Sequence, residues 1–288
     1  MILVSVLLAA CQPRVVSGTP DTPSEYIENR GSDTIVNLAL AWAEAYPQEH
    51  PGVRISVSGG GSGVGITALI NGTVDIANAS RRVKPEETQQ AQAHGITPTE
   101  FVIAGDAIAV IVHPDNPVGR LTLQQLSDIY SGKINNWSEI GGDDRPIVRL
   151  SRETNSGTHV YFLETVVRLG QSDNHTLFST DTLLLPSSEG IVNEVRQNPN
   201  AIGYDGLGYV PADLKVVAIA REPDQAFVLP SVATVNDRSY PVARDLYMYT
   251  AGVPTDAVAD YLHWILGPQA QRIVSDLGFV PIKAEAQP

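Results

Sequence analysis

The sequence predicts an α/β protein in two lobes, each a mostly parallel sheet flanked by helices, with the chain crossing twice between them. Three observations carry that expectation. From Gly31 onward, short apolar runs alternate with stretches of helical period, the pattern of βα units. Two long apolar segments, 107–112 (AIAVIV) and 240–249 (YPVARDLYMY), read as the crossings and make the first lobe discontinuous. Three turns that combine Ser or Thr with small residues stand where helices should begin: 31–34 (GSDT), 58–63 (SGGGSG) and 152–158 (RETNSGT). The expected organisation is a signal segment over 1–10, a flexible tether over 11–30, a first lobe of 31–107 plus 236–288, and a second lobe of 108–235.

In order along the chain, Val36, Ala39, Leu40, Ala43 and Tyr46 recur at helical spacing, and Pro47 is expected to close that helix. Residues 53–57 read as a strand, the glycine-rich turn follows, and 66–70 begin a second helix. The next strand is expected at 74–77, then a polar helix over 86–94 stopped by Gly95. The first crossing strand ends in the turn 113–117 (HPDNP). Beyond it come a helix at 123–130, a strand at 146–150, helices at 157–168 and 187–197, and a strand at 214–218. Two helices, 255–266 and 268–277, follow the second crossing. Trp42, Trp137 and Trp264 read as core or lobe packing, and no internal repeat is present.

Composition narrows the function. Apolar residues at 43% and charged residues at 18% describe an ordinary globular chain with material for a large core. The 32 acidic against 19 basic residues give a net charge of −13, which argues against a nucleic-acid partner or an anionic-membrane surface. The excess is no obstacle to binding a small anion. Surface charge is screened over about 8 Å at physiological salt, and dipoles act at contact.

The first ten residues, MILVSVLLAA, are uninterruptedly apolar and precede the only cysteine, Cys11. Ten residues are too few to span a bilayer and match a signal-peptide core. Leu8-Ala9-Ala10-Cys11 resembles a bacterial lipobox, in which the cysteine is lipidated. No Lys or Arg precedes the apolar run, so the true start codon is expected upstream. With Cys11 acylated, no thiol remains for a disulfide or metal site. Residues 12–29, rich in Pro, Ser, Thr and acids, read as the tether.

A helix start carries unpaired N–H groups and partial positive charge, so it holds an anion without any lysine. Ser32, Asp33 or Thr34 can cap the first helix, and capping alone would explain them. The five glycines of 58–65 are harder to explain unless the backbone approaches something closely. Arg152, Ser156, Gly157 and Thr158 put a guanidinium, two hydroxyls and helix N–H groups at one turn. Asp75, in an apolar run, is either a buried salt-bridge partner of Arg81 or Arg82 or a group of the site; Ser80 and Arg81 follow it.

Familiar chemistries fail on inspection. The glycine turn lacks the lysine of a nucleotide P-loop and the downstream acid of a dinucleotide fold, and Val64 breaks G-x-S-x-G around Ser62. The histidines at 50, 94, 113, 159, 175 and 263 show no metal-ligand spacing, so neither metal nor cofactor is expected. No Ser–His–Asp set stands out. These negatives favour a binder over an enzyme.

Six strings extend the argument: GSDT at 31–34, VSGGGSGVG at 57–65, GTVDIANASR at 72–81, LTLQQLSDIYSGKINNWSEIGG at 121–142, SRETNSGTHVYF at 151–162 and NPNAIGYDGLGYV at 198–210. Together they resemble the periplasmic or lipoprotein phosphate-binding subunit of phosphate ABC transporters, from about Gly31 to Ile282. The resemblance implies a periplasmic-binding-protein-like fold of type II, with the ligand between the lobes. It implies phosphate ligands Ser32, Thr34, Ser62 and Asp75 from the first lobe and Arg152, Ser156, Gly157 and Thr158 from the second. Gly63, Ser80 and Arg81 are secondary assignments, because spacing after Asp75 varies among such proteins. Asp75 would accept the proton that phosphate keeps and sulfate lacks. Thr154 stands where some members place an acid, and Glu153 is its acidic neighbour here. The implied partners are inorganic phosphate, membrane permease subunits with a separate ATPase, and a lipid anchor, with the receptor itself monomeric and outside the cytoplasm. Receptors for sulfate, molybdate or tungstate, a phosphate sensor or scavenger, and a phosphatase or hydrolase using Ser62 or Ser156 are the alternatives.

Overall fold

The computed structural model describes residues 25–282. The signal segment, Cys11 and the tether up to residue 24 lie outside the described residues. The last part of the expected tether is a strand: β1 (Glu25–Gly31) alternates exposed and buried positions, with Ile27, Asn29 and Gly31 facing inward. The lobe therefore begins earlier than its composition suggested. Strand β1 leads into α1 (Asp33–Glu49), β2 (Val53–Ser58), α2 (Ser62–Ile70), β3 (Ile76–Ala79), α3 (Pro85–Ala93) and the long β4 (Thr99–Val112). Next come β5 (Arg120–Thr122), α4 (Leu123–Tyr130), β6 (Val148–Arg152), α5 (Gly157–Phe162), β7 (Leu183–Leu185), α6 (Ser188–Gln197) and β8 (Ala201–Gly206). The chain continues through β9 (Lys215–Val216), β10 (Ala218–Ala220), α7 (Val232–Asn236), β11 (Ala243–Thr250), α8 (Asp256–Ile265) and α9 (Pro268–Asp276). Helix α5 runs on without a break as a π-helical turn, Leu163–Val167.

One sheet path threads both halves in the order β2-β1-β3-β11-β4-β8-β6-β7. β1 lies parallel to β2 and β3, and β6 parallel to β8 and β7. β11 is antiparallel to both β3 and β4. The two crossings are β4 and β11, as the apolar runs suggested. β4 pairs with β11 up to Ala107 and then, from Ile108, with β8. Within β4, Ile108, Val110 and Val112 face one core while Ala109 and Ile111 face another. A strand buried on both faces needs an unbroken apolar run, which is what 107–112 supplies.

The buried side chains sort by half. Ile27, Leu38, Trp42, Ile76, Leu246 and Tyr261 share one core of the first half, and Ile66, Leu69, Ala77 and Tyr249 share the core on its other side. Leu126, Tyr130, Trp137, Phe162 and Tyr204 fill the main core of the second. Pro47 does not end α1, which continues to Glu49 and is closed by His50 N–H donating to Tyr46 O at 3.1 Å. In the last turn a proline forfeits a single backbone bond, too little to stop a helix anchored by Leu38, Trp42 and Tyr46.

Candidate functional site

Three helix starts meet where the two halves touch. α1 begins beside β1 because Gly31 (φ +147°) passes so close to β3 that a Cβ would lie 2.1 Å from Asn78 O. Ser32 N–H donates to that carbonyl at 2.9 Å, and the Ser32 side chain, buried, makes no cap bond to α1. Asp33 instead ties the turn to its neighbours. Its Oδ1 accepts from Gly60 N–H at 2.9 Å and its Oδ2 pairs with Arg152 at 2.7 Å. Thr34 is buried, and its hydroxyl lies 2.9 Å from that of Thr158.

α2 starts at Ser62, whose Oγ accepts from Ser80 N–H at 3.0 Å and lies 3.3 Å from Ser80 Oγ. Gly63 N–H donates to Asn155 O at 3.1 Å, so the α2 start touches the turn before α5. Ser156 caps α5 by accepting from Thr158 N–H at 3.2 Å. A Cβ on Gly157 would stand 2.4 Å from both Ser62 Oγ and Ser80 Oγ. Thr34, Ser62, Ser80, Gly157 and Thr158 thus form one buried cluster of hydroxyls and helix starts.

Two expected ligands are elsewhere. Asp75 is exposed, ahead of β3 rather than inside it, with its carboxylate accepting from Glu28 N–H at 2.8 Å. Ser80 follows the other end of β3, about 17 Å along an extended chain. Asp75 therefore cannot accept a ligand proton in the cluster, and it pairs with neither Arg81 nor Arg82. Those bind Glu87 (2.7 Å) and Glu100 (3.6 Å). The misplacement has a simple cause. In parallel sheets the converging turns follow the carboxyl ends of strands, and Asp75 sits at an amino end.

Arg152 is buried at the lobe contact, but its guanidinium is enclosed by protein. Nε donates to Leu185 O (3.3 Å), Nη1 to Ser188 Oγ (3.0 Å), and Nη2 to Asp33 Oδ2 (2.7 Å) and Pro186 O (2.8 Å). Buried Asp205 stands 3.8 Å from Nη1, and desolvation raises its pKa to about 6 against the opposing pull of Arg152. Arg81, also buried, holds Glu87 with both Nη atoms, and its Nε has no hydrogen-bond partner. Its Nη2 is 3.8 Å from where a Gly63 Cβ would be.

The cation that does reach the cluster is Arg244, which the sequence reading missed. Its Nη2 donates to Thr158 Oγ1 at 3.0 Å and contacts Thr34 Oγ1 at 3.4 Å. Its carboxylate partner is buried Asp106, directly across the β4–β11 register. Burial pushes Asp106 upward and Arg244 pulls it back. The available signal was Asp106 beside the apolar run of β4 and Arg244 at the head of β11, charges of opposite sign that cannot be buried unless they meet.

The arrangement is dipolar overall. Each buried guanidinium faces at least one carboxylate, while the hydroxyls and helix N–H groups converge without added charge. Such a cage suits a small anion stripped of water.

Comparison with known proteins agrees with the geometry. Residues 17–269 match the model of a PBP superfamily domain. The phosphate-binding protein PstS of Pseudomonas aeruginosa PAO1 is 34% identical over 272 residues, covering 88% of this chain and 82% of its own. PstS of Bacillus subtilis 168 is 30% identical over 253 residues, covering 88% and 79%. A putative phosphate ABC transporter substrate-binding protein with bound phosphate from Clostridium perfringens superposes with a TM-score of 0.79 at 33% identity, covering 90% of this chain and 100% of that one. The two-lobed fold, the joined helix starts and these likenesses lead to one assignment: the chain belongs to the PBP superfamily, in the family of PstS phosphate-binding proteins.

Proposed function

We propose that the protein captures inorganic phosphate between its lobes and delivers it to the permease subunits of an ABC transporter driven by a separate ATPase. The observation that carries this is the meeting of Thr34, Ser62, Ser80, Gly157 and Thr158 at three helix starts. The ligand set comprises these residues with the Ser32, Gly63 and Ser156 turns. Arg152 acts from behind by locking Asp33, and so the start of α1, onto the second lobe. Hydroxyls both donate and accept, so the cage accommodates the one proton that phosphate retains near neutral pH.

The separate cores support a first lobe of 25–106 plus 243–282 and a second of 107–242, slightly revising the expected boundaries. The reading is of a binder rather than an enzyme, in line with the phosphate-binding relatives, and of a monomer, as the resemblance implied. Placement outside the cytoplasm, with Cys11 lipidated, rests on the apolar leader and the Leu8–Cys11 string.

The test is calorimetric titration of the protein, unfolded and refolded to strip ligand, with phosphate, sulfate and molybdate. Phosphate is expected to bind at least tenfold more tightly than the other two. Tighter sulfate or molybdate binding would replace the phosphate reading with that of another oxyanion receptor.

A further inference from the structure

We propose that Arg244 is the guanidinium that contacts the bound anion, and that from its place on a crossing strand it ties anion capture to closure of the lobes. The inference rests on the oxyanion reading above and names a cation that reading did not contain.

The position of Arg244 is unusual in three ways. It lies one residue beyond the start of β11, opposite Asp106, where β4 is about to leave β11 for β8. Its guanidinium touches both halves of the molecule at once. Nη1 donates to Ser80 O at 3.0 Å after β3, and Nη2 reaches Thr34 of α1 and Thr158 of α5. It is also held in orientation. Nε and Nη2 donate to Asp106 Oδ2 at 3.1 and 2.9 Å, and the ring of Tyr161 lies 5.5 Å from the guanidinium carbon.

Nη2 has two hydrogens and three acceptors within reach: Asp106, Thr158 and Thr34. The Thr34 contact, at 3.4 Å, is the longest of the three. An anion oxygen arriving between the two threonine hydroxyls would accept from both and from Nη2, resolving that competition with a charge-assisted bond. Neither Arg152 nor Arg81 offers the same. The Arg152 donors point at Leu185, Pro186, Ser188 and Asp33, and Arg81 grips Glu87. A cleft of about 420 Å³ lined by Ser80, Arg81, Tyr161 and Arg244 opens from this point and provides an approach. Asp106 is the positioning residue: by neutralising Arg244 it keeps the ligand-free cage from carrying an unpaired buried charge.

The experiment compares the refolded full chain with R244K and R244Q by calorimetry against phosphate, sulfate and molybdate. R244Q is expected to weaken the preferred anion at least 100-fold, with R244K between it and the wild type. Losses of less than tenfold in R244Q would overturn the proposal. As a second measurement, which holds even where R244Q fails to fold, wild-type protein labelled with ¹⁵N-arginine is titrated with phosphate. The side-chain signal absent from R244K is expected to move; a stationary signal overturns the proposal. If sulfate or molybdate proves the preferred anion and R244Q abolishes its binding, the phosphate reading falls and the Arg244 assignment stands. If the wild type binds none of the three, both fall.

Discussion

Gly157 marks a tight point of the cage, because a side chain there would enter the space of two serine hydroxyls. In Gly157→Ala both hydroxyls must retreat by about 1 Å to reach ordinary contact, an overpacking cost of about 1–3 kcal/mol that falls on the closed arrangement. Phosphate affinity is expected to drop tenfold or more with the ligand-free melting temperature nearly unchanged, as calorimetry beside thermal denaturation would show. Asp205 makes a different prediction. Burial raises its pKa from 3.8 to about 6, more than Arg152 lowers it. Between those values the folded chain holds a proton that the unfolded chain has released, so this group's contribution to stability falls as pH rises from about 4 to about 6. The full effect is about 3 kcal/mol. Asp205→Asn should remove that slope, read as the difference between wild-type and variant urea midpoints at pH 4.5, 5.5 and 7.

At the scale of elements, β1 shows how little apolar content an interior strand can need. Its inward positions are Ile27, Asn29 and Gly31, and parallel pairing with β2 and β3 supplies the rest. Ile27 is fully buried in the core with Leu38, Trp42 and Ile76, so Ile27→Ala should destabilise the fold by about 2–5 kcal/mol in urea unfolding. A sequence with one inward hydrophobe among Glu25, Glu28 and Arg30 reads as a linker, and that is why the tether was expected to reach residue 30. β8 was missed for a related reason: Gly203, Asp205 and Gly206 break the apolar pattern, although every residue of the strand is buried. The helices α2, α3, α4, α6, α8 and α9 were legible because each carries its own period or stop signal. The three helix starts were legible for the same local reason. What sequence could not supply was direction: which end of β3 faces the cleft, and which of several arginines reaches it, depend on pairings between residues more than 100 positions apart, such as Arg244 with Asp106 and with Ser80.

For the whole molecule, separate cores joined through β4 and β11 allow each lobe to move as a body, with strain confined to the crossings. Several direct bonds join the two lobes across the cleft. They include Arg152 to Asp33, Thr34 to Thr158, Gly63 N–H to Asn155 O, and Asn155 Nδ2 to Gly60 O at 2.9 Å. A ligand strengthens closure only by binding the closed form better, and its apparent affinity scales with how often that form is populated. Asn155 separates these effects, because its amide bridges the lobes at the exposed lip and lies outside the hydroxyl cluster. Removing one such bond costs about 0.5–1.5 kcal/mol net, and in Asn155→Ala the whole of it falls on the closed state. Phosphate should then bind about 2–10-fold more weakly, through faster dissociation and an unchanged association rate. Small-angle scattering of the ligand-free variant should show a larger radius of gyration than wild type. Stopped-flow traces in which association slows instead would place Asn155 on the entry path and contradict closure as the source of the loss.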